Sequence, residues 1–299
     1  MFYRRKLILA TLEEFGGKLN HTNLQKILFL ITRNQEKKAF DFVPYKYGCF
    51  SFQANQDIST LTKYKLVRSE TVANTSNWVL TDEGLNFYSQ LKKQDQSAIR
   101  LVKREISNFS QRDLIRHTYI KYPYYASKSQ IASEILNKTE MEAVEKQKRN
   151  FSEPKFFTIG YEGISLETYL NKLIINDIRL LCDVRKNSLS MKYGFSKSQL
   201  KNACQSIGIK YIHIPELGIE SEKRQDLESM SDYNKLFEEY ENTTLINNKQ
   251  SINYLFQLTK EYKRVAITCF EKEVCMCHRG RVLNALKELP QWDIQYKNL

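Results

Sequence analysis

Short apolar runs alternate with amphipathic segments in the half of the chain that follows Pro154. Runs rich in β-branched and aromatic residues predict strands, and apolar residues spaced three and four apart predict helices between them. The predicted strands are 156–159, 178–184, 210–214 and 265–270, and the predicted helices are 166–175, 197–207, segments within 233–240 and 252–262, and one from about 278. Because helices separate the strands, the pattern predicts an α/β fold: a mostly parallel sheet with flanking helices.

The half before residue 150 has a different pattern. Apolar residues recur with helical spacing at 3–15 and 22–33, and two apolar stretches at 66–72 and 78–80 predict a two-stranded ribbon. Helices followed by such a ribbon are typical of a winged helix, which places a helix in a DNA groove. The predicted parts are a mainly helical, winged-helix-like nucleic-acid-binding domain (1–94), a helical basic connector (95–153) and an α/β catalytic domain (154–299).

Most of the positive charge lies in the first half. The formal net charge is +12, and residues 1–150 contain 25 Lys and Arg against 15 Asp and Glu, a net charge of +10. This asymmetry predicts that the first half binds a polyanion, and we expect double-stranded DNA. An ordinary solvated basic surface is the alternative.

Two clusters of basic and aromatic residues are candidates for contact with nucleic acid. Lys46 and Tyr47 lie in the aromatic insertion DFVPYKYGCFSFQ, and Lys121 and Lys128 flank a group of tyrosines. In proteins that bind single strands, aromatic rings stack on the bases and neighbouring lysines neutralise the phosphates. An aromatic cluster in a small domain more often forms part of the core, which is the alternative for this insertion.

The sequence contains no membrane signal. No apolar run reaches the length of a membrane-spanning helix, and Glu13 and Glu14 interrupt the apolar stretch near the N-terminus, so neither a membrane span nor a signal peptide is expected. Six unevenly spread cysteines predict reduced thiols rather than a disulfide framework. We therefore expect a cytoplasmic protein.

Polar residues follow four of the predicted strands. In parallel sheets, ligands bind beyond the carboxyl ends of the strands. The polar segments at these ends are Gly160–Gly163, Asp183–Arg185, His213–Glu216 and Cys269–Glu271, and Cys277, His278 and Arg279 open the last predicted helix. We expect these segments to converge on one site.

Four motifs in this half occur in a recognisable order. They are FTIGYEG at 157–163, DVR at 183–185, GIKYIHIPELG at 208–218 and CFEKEVCMCHR at 269–279. With them, residues 156–288 resemble the family called domain of unknown function 488. The resemblance implies an α/β fold with its site at these motifs. It also implies a link to nucleic-acid modification and phage defence, including excision of bases from modified DNA.

Base excision requires particular groups. Cleavage of an N-glycosidic bond needs a carboxylate that stabilises an oxocarbenium-like sugar or activates water, and a proton donor for the departing base. Asp183 and Glu271 are the candidate carboxylates, and His278 and Tyr161 are the candidate donors. The expected substrate-binding residues are Arg185 and Arg279 for phosphate, Tyr193 and Phe195 for stacking on a flipped base, and Glu162 and His213. We therefore expect a DNA glycosylase.

Other functions fit parts of the same pattern. Asp183 and Arg185 can form a purely structural ion pair. Cys277 near a helix start predicts either a reactive thiolate in a cysteine-dependent enzyme or a buried scaffold thiol. The domain can also be a nucleotide sensor attached to a nucleic-acid-binding regulator.

Metal binding is the remaining alternative. Asp183, Glu216 and Glu271 follow separate strands and suit the magnesium of a metal-dependent nuclease. The cysteines are less promising, because neighbouring side chains such as Cys277 and His278 are expected to point in different directions. The sequence therefore predicts no metal ligand and no cofactor.

Overall fold

The computed structural model describes residues 1–72, 75–224 and 229–299. The chain folds as two compact units, Met1–Lys148 and Arg149–Leu299. The boundary between them in the chain falls where the sequence pattern changes. In the part of the chain that is described, no helix combines the length and apolar character needed to cross a membrane.

The first unit is mainly helical and contains a small antiparallel sheet. Its helices are α1 (Tyr3–Glu14), α2 (His21–Arg33), α3 (Phe52–Lys63), α4 (Lys93–Glu105), α5 (Gln111–Lys121), α6 (Pro123–Ala126), α7 (Ala132–Ile135) and α8 (Lys138–Glu145). Its strands are β1 (Lys18–Asn20), β2 (Val43–Tyr45), β3 (Gly48–Phe50), β4 (Val67–Val72) and β5 (Thr75–Leu80). The expected ribbon corresponds to β4 and β5, and β1 pairs with the other edge of β5.

One hydrophobic core unites most of this unit. Buried side chains of α1 and α2 pack with Ile99 and Val102 of α4. The region 95–153, which we expected to be a connector, therefore begins inside the core of the first unit. The winged-helix assignment of residues 1–94 stays a prediction.

The second unit is built on a five-stranded parallel sheet. Its strands are β6 (Lys155–Gly160), β7 (Leu180–Asp183), β8 (Lys210–His213), β9 (Arg264–Cys269) and β10 (Gln295–Asn298), and its helices are α9 (Leu166–Ile175), α10 (Lys197–Ser206), α11 (Met230–Tyr240), α12 (Lys249–Tyr262) and α13 (His278–Lys287). The order across the sheet is β10-β6-β9-β7-β8, and every pairing is parallel. The predicted α/β fold is confirmed.

The strand order determines which loops become neighbours. β9 lies between β6 and β7, so the segments that follow these three strands emerge side by side at one edge of the sheet. Every residue of β7 and β9 is buried, as expected for central strands covered on both faces. The edge strand β10 was not predicted, because its four exposed residues, QYKN, carry no apolar signal.

Close backbone contacts hold the loops above this edge. At Gly160, a Cβ atom would lie 1.9 Å from the carbonyl oxygen of Glu271. At Gly218, a Cβ atom would lie 2.1 Å from the backbone nitrogen of Lys186. Any other residue at these two positions would displace a loop that follows β9 or β7.

Candidate functional site

A cleft of about 300 Å³ opens at the carboxyl ends of β6, β7 and β9. The cleft is lined by one residue from each of four expected segments: Tyr161, Arg185, Cys269 and His278. The remaining lining residues are Lys186, Asn187, Leu189, Ser190, Met191, Ile219 and Phe270. The segment His213–Glu216 does not line this cleft, so the expected convergence is present for the other segments.

Asp183 is completely buried at the base of this region and fully hydrogen-bonded. Its Oδ1 atom accepts from Nε of Arg185 at 2.8 Å and from the Arg185 backbone nitrogen at 3.1 Å. Its Oδ2 atom accepts from Nη2 of Arg185 at 2.5 Å and from the Tyr211 hydroxyl at 2.6 Å. The structural ion pair is therefore formed, and it occupies both carboxylate oxygens.

Arg185 connects three segments of the site. Besides Asp183, its Nη1 atom donates to the hydroxyl of Tyr161 at 2.7 Å and to the carbonyl oxygen of Phe195 at 2.9 Å. Burial lowers the pKa of Arg185, but hydrogen bonds to Asp183 and the charge of Asp183 together raise it above its usual value. Arg185 is a permanent cation whose donors are directed at protein acceptors. This geometry indicates that Arg185 positions the neighbouring segments and does not support the expected contact of Arg185 with phosphate.

Tyr161 and Phe195 stack on each other. Their ring centroids are 4.2 Å apart, and the planes differ by 9°. Phe195 is completely buried, so the expected stacking of its ring on a flipped base does not fit the structure. Tyr193, the other expected stacking residue, is partly exposed. Burial raises the pKa of the Tyr161 hydroxyl, while the charge of Arg185 opposes this shift.

Cys269, Cys277 and His278 meet at the floor of the cleft. Their Sγ and imidazole nitrogen atoms all lie within 4.8 Å of one another, and all three side chains are buried. The Nδ1 atom of His278 is 3.5 Å from Sγ of Cys269 and 4.0 Å from Sγ of Cys277. The prediction that Cys277 and His278 point in different directions is wrong. Cys277 is the extended N-cap residue of α13, so the backbone turns between the two residues and their side chains converge.

Burial also determines the reactivity of this group. It raises the pKa of the Cys277 thiol well above its usual value, and the hydrogen bond with Cys269 acts in the same direction. Such a thiol is a poor nucleophile at neutral pH. This geometry does not favour a cysteine-dependent enzyme with Cys277 as the nucleophile.

Glu271 and Arg279 shape the loop that follows β9. Arg279 is buried, and its Nη1 and Nη2 atoms donate to the carbonyl oxygens of Glu271 and Lys272 at 2.5 and 2.7 Å. The arginine expected to bind phosphate therefore binds backbone. The Glu271 side chain is partly exposed, and its Oε2 atom accepts from the Cys269 thiol at 3.1 Å. Of the two expected catalytic carboxylates, only Glu271 reaches the surface.

Glu162 and His213 flank the site and hold neighbouring loops. The Oε2 atom of Glu162 accepts from the Lys272 backbone nitrogen at 3.0 Å. The Nε2 atom of His213 donates to the carbonyl oxygen of Arg185 at 2.8 Å, and its Nδ1 atom lies 3.0 Å from Nζ of Lys197. Both residues were expected to bind substrate, and their contacts in the structure position the backbone of neighbouring loops.

The segment between β7 and α10 contains features that sequence reasoning missed. Leu189 and Met191 line the cleft, yet their side chains are almost entirely exposed, 79 % in the case of Leu189. The Nζ atom of Lys192 donates to the carbonyl oxygen of Tyr161 at 2.8 Å. The sequence signal that could have identified them is the presence of two apolar residues in the otherwise polar run KNSLSMK at 186–192.

The carboxylates proposed for magnesium are not assembled. Glu216 lines a neighbouring cleft with Lys186 and Gly218, while Asp183 is buried with Arg185. Within residues 1–72, 75–224 and 229–299, the single group of three or more potential ligands is Cys269, Cys277 and His278. The structure therefore gives no support to a magnesium-dependent nuclease built on Asp183, Glu216 and Glu271.

The first unit contains the residues expected to bind nucleic acid. Lys46 and Tyr47 are exposed at the turn between β2 and β3. The backbone nitrogen of Gln130 donates to the carbonyl oxygen of Lys46 at 2.9 Å, which brings the segment of Lys128 to the same turn. Lys121 lies elsewhere on the unit and is bonded to Glu105 at 2.8 Å, a contact that raises the pKa of the lysine.

A family comparison agrees with the motifs at the strand ends. Residues 165–286 match the model of the family described as domain of unknown function DUF488. The C-terminal half contains a DUF488 domain. The match includes Asp183, Arg185, Glu271 and the Cys277-His278-Arg279 segment, and it confirms the resemblance over three of the four motifs, since FTIGYEG at 157–163 precedes the matched residues. It does not extend to the first unit, and no curated protein matches the chain.

Replacement of Asp183 by Asn should destabilise the DUF488 domain by about 3–5 kcal/mol, because Arg185 is then a buried charge without its counter-ion. The matched control is Glu220→Gln, which removes a half-exposed partner 3.8 Å from Lys186 and should cost at most about 1 kcal/mol. Urea denaturation followed by circular dichroism gives the free energy of unfolding. An Asp183→Asn variant as stable as the control would contradict a structural role for the pair.

Proposed function

We propose that the DUF488 domain is a hydrolase that acts on DNA, and that it is a DNA glycosylase that excises modified bases in phage defence. The observation that carries the proposal is the contact between the loop of Glu271 and the loop of Tyr161, whose side chain lines the cleft. The backbone nitrogens of Tyr161 and Glu162 donate to the carbonyl oxygen of Phe270 at 3.1 and 2.9 Å, so the loop of Glu271 adjoins the loop of Tyr161. A loop with a partly exposed carboxylate thus lies against the loop of a cleft-lining phenol at the end of a parallel sheet.

These two groups supply what base excision needs. The carboxylate of Glu271 stabilises the positive charge that develops on the sugar and accepts a proton from the attacking water. The oxygen of that water bonds to the anomeric carbon, and the base leaves with the electrons of the broken bond. The hydroxyl of Tyr161 accepts from Arg185, whose charge opposes the rise in pKa that burial causes, and it gives its own proton to the departing base. Asp183 acts through Arg185, and His278 positions the loop.

The first unit supports DNA as the partner. It carries the basic excess, and its order of helices and strands places α3 directly before the β4–β5 ribbon. Asn55, Ser59 and Lys63 of α3 are all exposed, and their spacing of four residues puts them on one face of the helix. A polar face of this kind can enter a groove of double-stranded DNA. The cytoplasmic location expected from the sequence belongs to the same proposal.

Leu189 and Met191 support an enzyme that extrudes its target base. Base excision from a duplex requires the nucleotide to leave the stack, and apolar wedges inserted between bases lower the cost of that step. Two exposed apolar side chains at the mouth of the cleft can fill the gap that the base leaves. The buried Phe195 cannot do so without rearrangement.

The decisive experiment is an excision assay on DNA duplexes with unmodified, methylated, hydroxymethylated or glucosylated bases. A glycosylase leaves abasic sites that alkali cleaves, and we expect them with at least one modified duplex. Glu271→Gln should reduce the rate at least about 100-fold, as expected for loss of an acid–base group. The neighbouring Glu273→Gln, an exposed residue of the same loop, should remain close to the wild-type rate.

The assay also separates the enzyme from a sensor. DNA binding without alkali-lability on any duplex would reject base excision and favour a regulator with a nucleotide-sensing domain. Equal activity of Glu271→Gln and Glu273→Gln would reject the catalytic assignment of Glu271.

The double variant Leu189→Ser/Met191→Ser should lower excision from duplex DNA at least about tenfold, because nothing replaces the stacking of the extruded base. Excision from a single strand of the same sequence should change much less. Ile175→Ser, which alters a half-exposed residue at the end of α9, is the control. Equal losses on single and double strands would argue against a wedge.

Lys63→Ala should weaken DNA binding uniformly across sequences and reduce the slope of log affinity against log salt concentration by about one. Lys235→Ala on α11, an exposed lysine of the second unit, should leave that slope unchanged. Fluorescence anisotropy at several salt concentrations measures both. An unchanged slope in Lys63→Ala would show that α3 does not contact phosphate.

A further inference from the structure

The separations of Nδ1 of His278 from the Sγ atoms of Cys269 and Cys277 are close to those of metal ligands. Tetrahedral zinc binds sulfur at about 2.3 Å and imidazole nitrogen at about 2.0–2.1 Å, which places the ligand atoms roughly 3.5–3.8 Å apart. The distances from Nδ1 of His278 to the two Sγ atoms are 3.5 and 4.0 Å. The histidine therefore needs very little movement relative to either cysteine to share an ion with it, and all three ligand atoms lie within 4.8 Å of one another.

The protonation state of His278 also fits a metal ligand. Its Nε2 atom lies 2.9 Å from the carbonyl oxygen of Val184. Because a carbonyl oxygen only accepts, Nε2 carries the proton of the neutral ring and Nδ1 presents a lone pair to the two sulfur atoms. A histidine that donates its second ring nitrogen to a backbone carbonyl is the usual arrangement around bound metal ions.

The ligands lie on rigid elements. Cys269 ends the central strand β9, and Cys277 is the N-cap of α13. Arg279 fixes the intervening loop through the carbonyl oxygens of Glu271 and Lys272. The Nε atom of Arg279 is buried and has no hydrogen-bond partner among the described residues. Arg279 directly follows the ligand His278 in the sequence, so this unused hydrogen-bond donor lies near the three ligands.

We propose that Cys269, Cys277 and His278 bind one divalent transition-metal ion, with zinc the preferred ion. Three protein ligands leave a fourth position, as in catalytic rather than structural zinc sites. Cys269 and His278 line the cleft, so the fourth position is open to water. The carboxylate of Glu271, which accepts from the Cys269 thiol at 3.1 Å, then lies beside that water. The metal site is independent of the base-excision proposal, since ion binding requires no substrate.

The test measures metal binding by the full-length protein without an affinity tag. After removal of metal with a chelator under reducing conditions, the protein is titrated with Co²⁺. Two thiolates and an imidazole around cobalt should produce a thiolate charge-transfer band and intense visible bands of tetrahedral geometry. We expect saturation at about one ion per chain, and displacement of cobalt by an equivalent of Zn²⁺.

Matched variants locate the site. Cys277→Ser and His278→Gln should weaken cobalt binding at least about tenfold, because each removes a ligand. Cys275→Ser changes the exposed cysteine of the same loop and should bind as the wild type does. Circular dichroism verifies that each variant is folded, and the spectrum of the wild-type protein gives the ligand types without any substitution.

Three results would overturn the proposal. The first is a folded, reduced wild-type protein that shows no thiolate-to-cobalt band. The second is cobalt binding by Cys277→Ser with unchanged affinity and spectrum. The third is a loss in Cys275→Ser equal to that in Cys277→Ser. Each concerns metal alone, so failure here leaves the result of the excision assay unaffected.

Discussion

The buried contact between Asp183 and Arg185 organises the end of the sheet. Arg185 follows β7, yet its guanidinium also binds Tyr161 after β6 and the carbonyl oxygen of Phe195 before α10. Asp183 holds Tyr211 of β8 in addition. Because a buried charge without its partner is costly, these residues adopt one arrangement only. The ion pair of Asp183 and Arg185 thus holds the walls of the cleft, although both charged groups are buried from solvent.

Periodicity in the sequence predicted most of the second unit because the central strands are buried on both faces. Such strands must be apolar throughout, and the runs at β6, β7 and β9 stand out from the helices between them. The same reasoning fails for β10, whose side chains face solvent. The order β10-β6-β9-β7-β8 was also beyond reach, since hydrophobic pattern identifies strands but does not say that β9 inserts between β6 and β7.

The sequence located the candidate site but not the direction of each side chain. Strand ends predicted that Tyr161, Asp183 and Glu271 would lie at one edge, and they do. Whether a polar group faces the cleft or the protein depends on partners far away in the sequence. Asp183 meets Tyr211, 28 residues later, and His278 meets the carbonyl of Val184, 94 residues earlier. No local pattern encodes those contacts, so burial of both residues was not foreseeable.

The Cys277 and His278 pair shows the same limit at closer range. Adjacent residues diverge in a helix or strand, but a residue before a helix has extended backbone angles, and its side chain can turn back toward the first helical residue. In this position burial raises the pKa of the Cys277 thiol, which makes this thiol a poor nucleophile. A cation between the sulfur atoms reverses this effect by favouring the thiolates. The proposed metal ion would account for the soft, buried ligands at the floor of a cleft whose other polar groups hold the backbone.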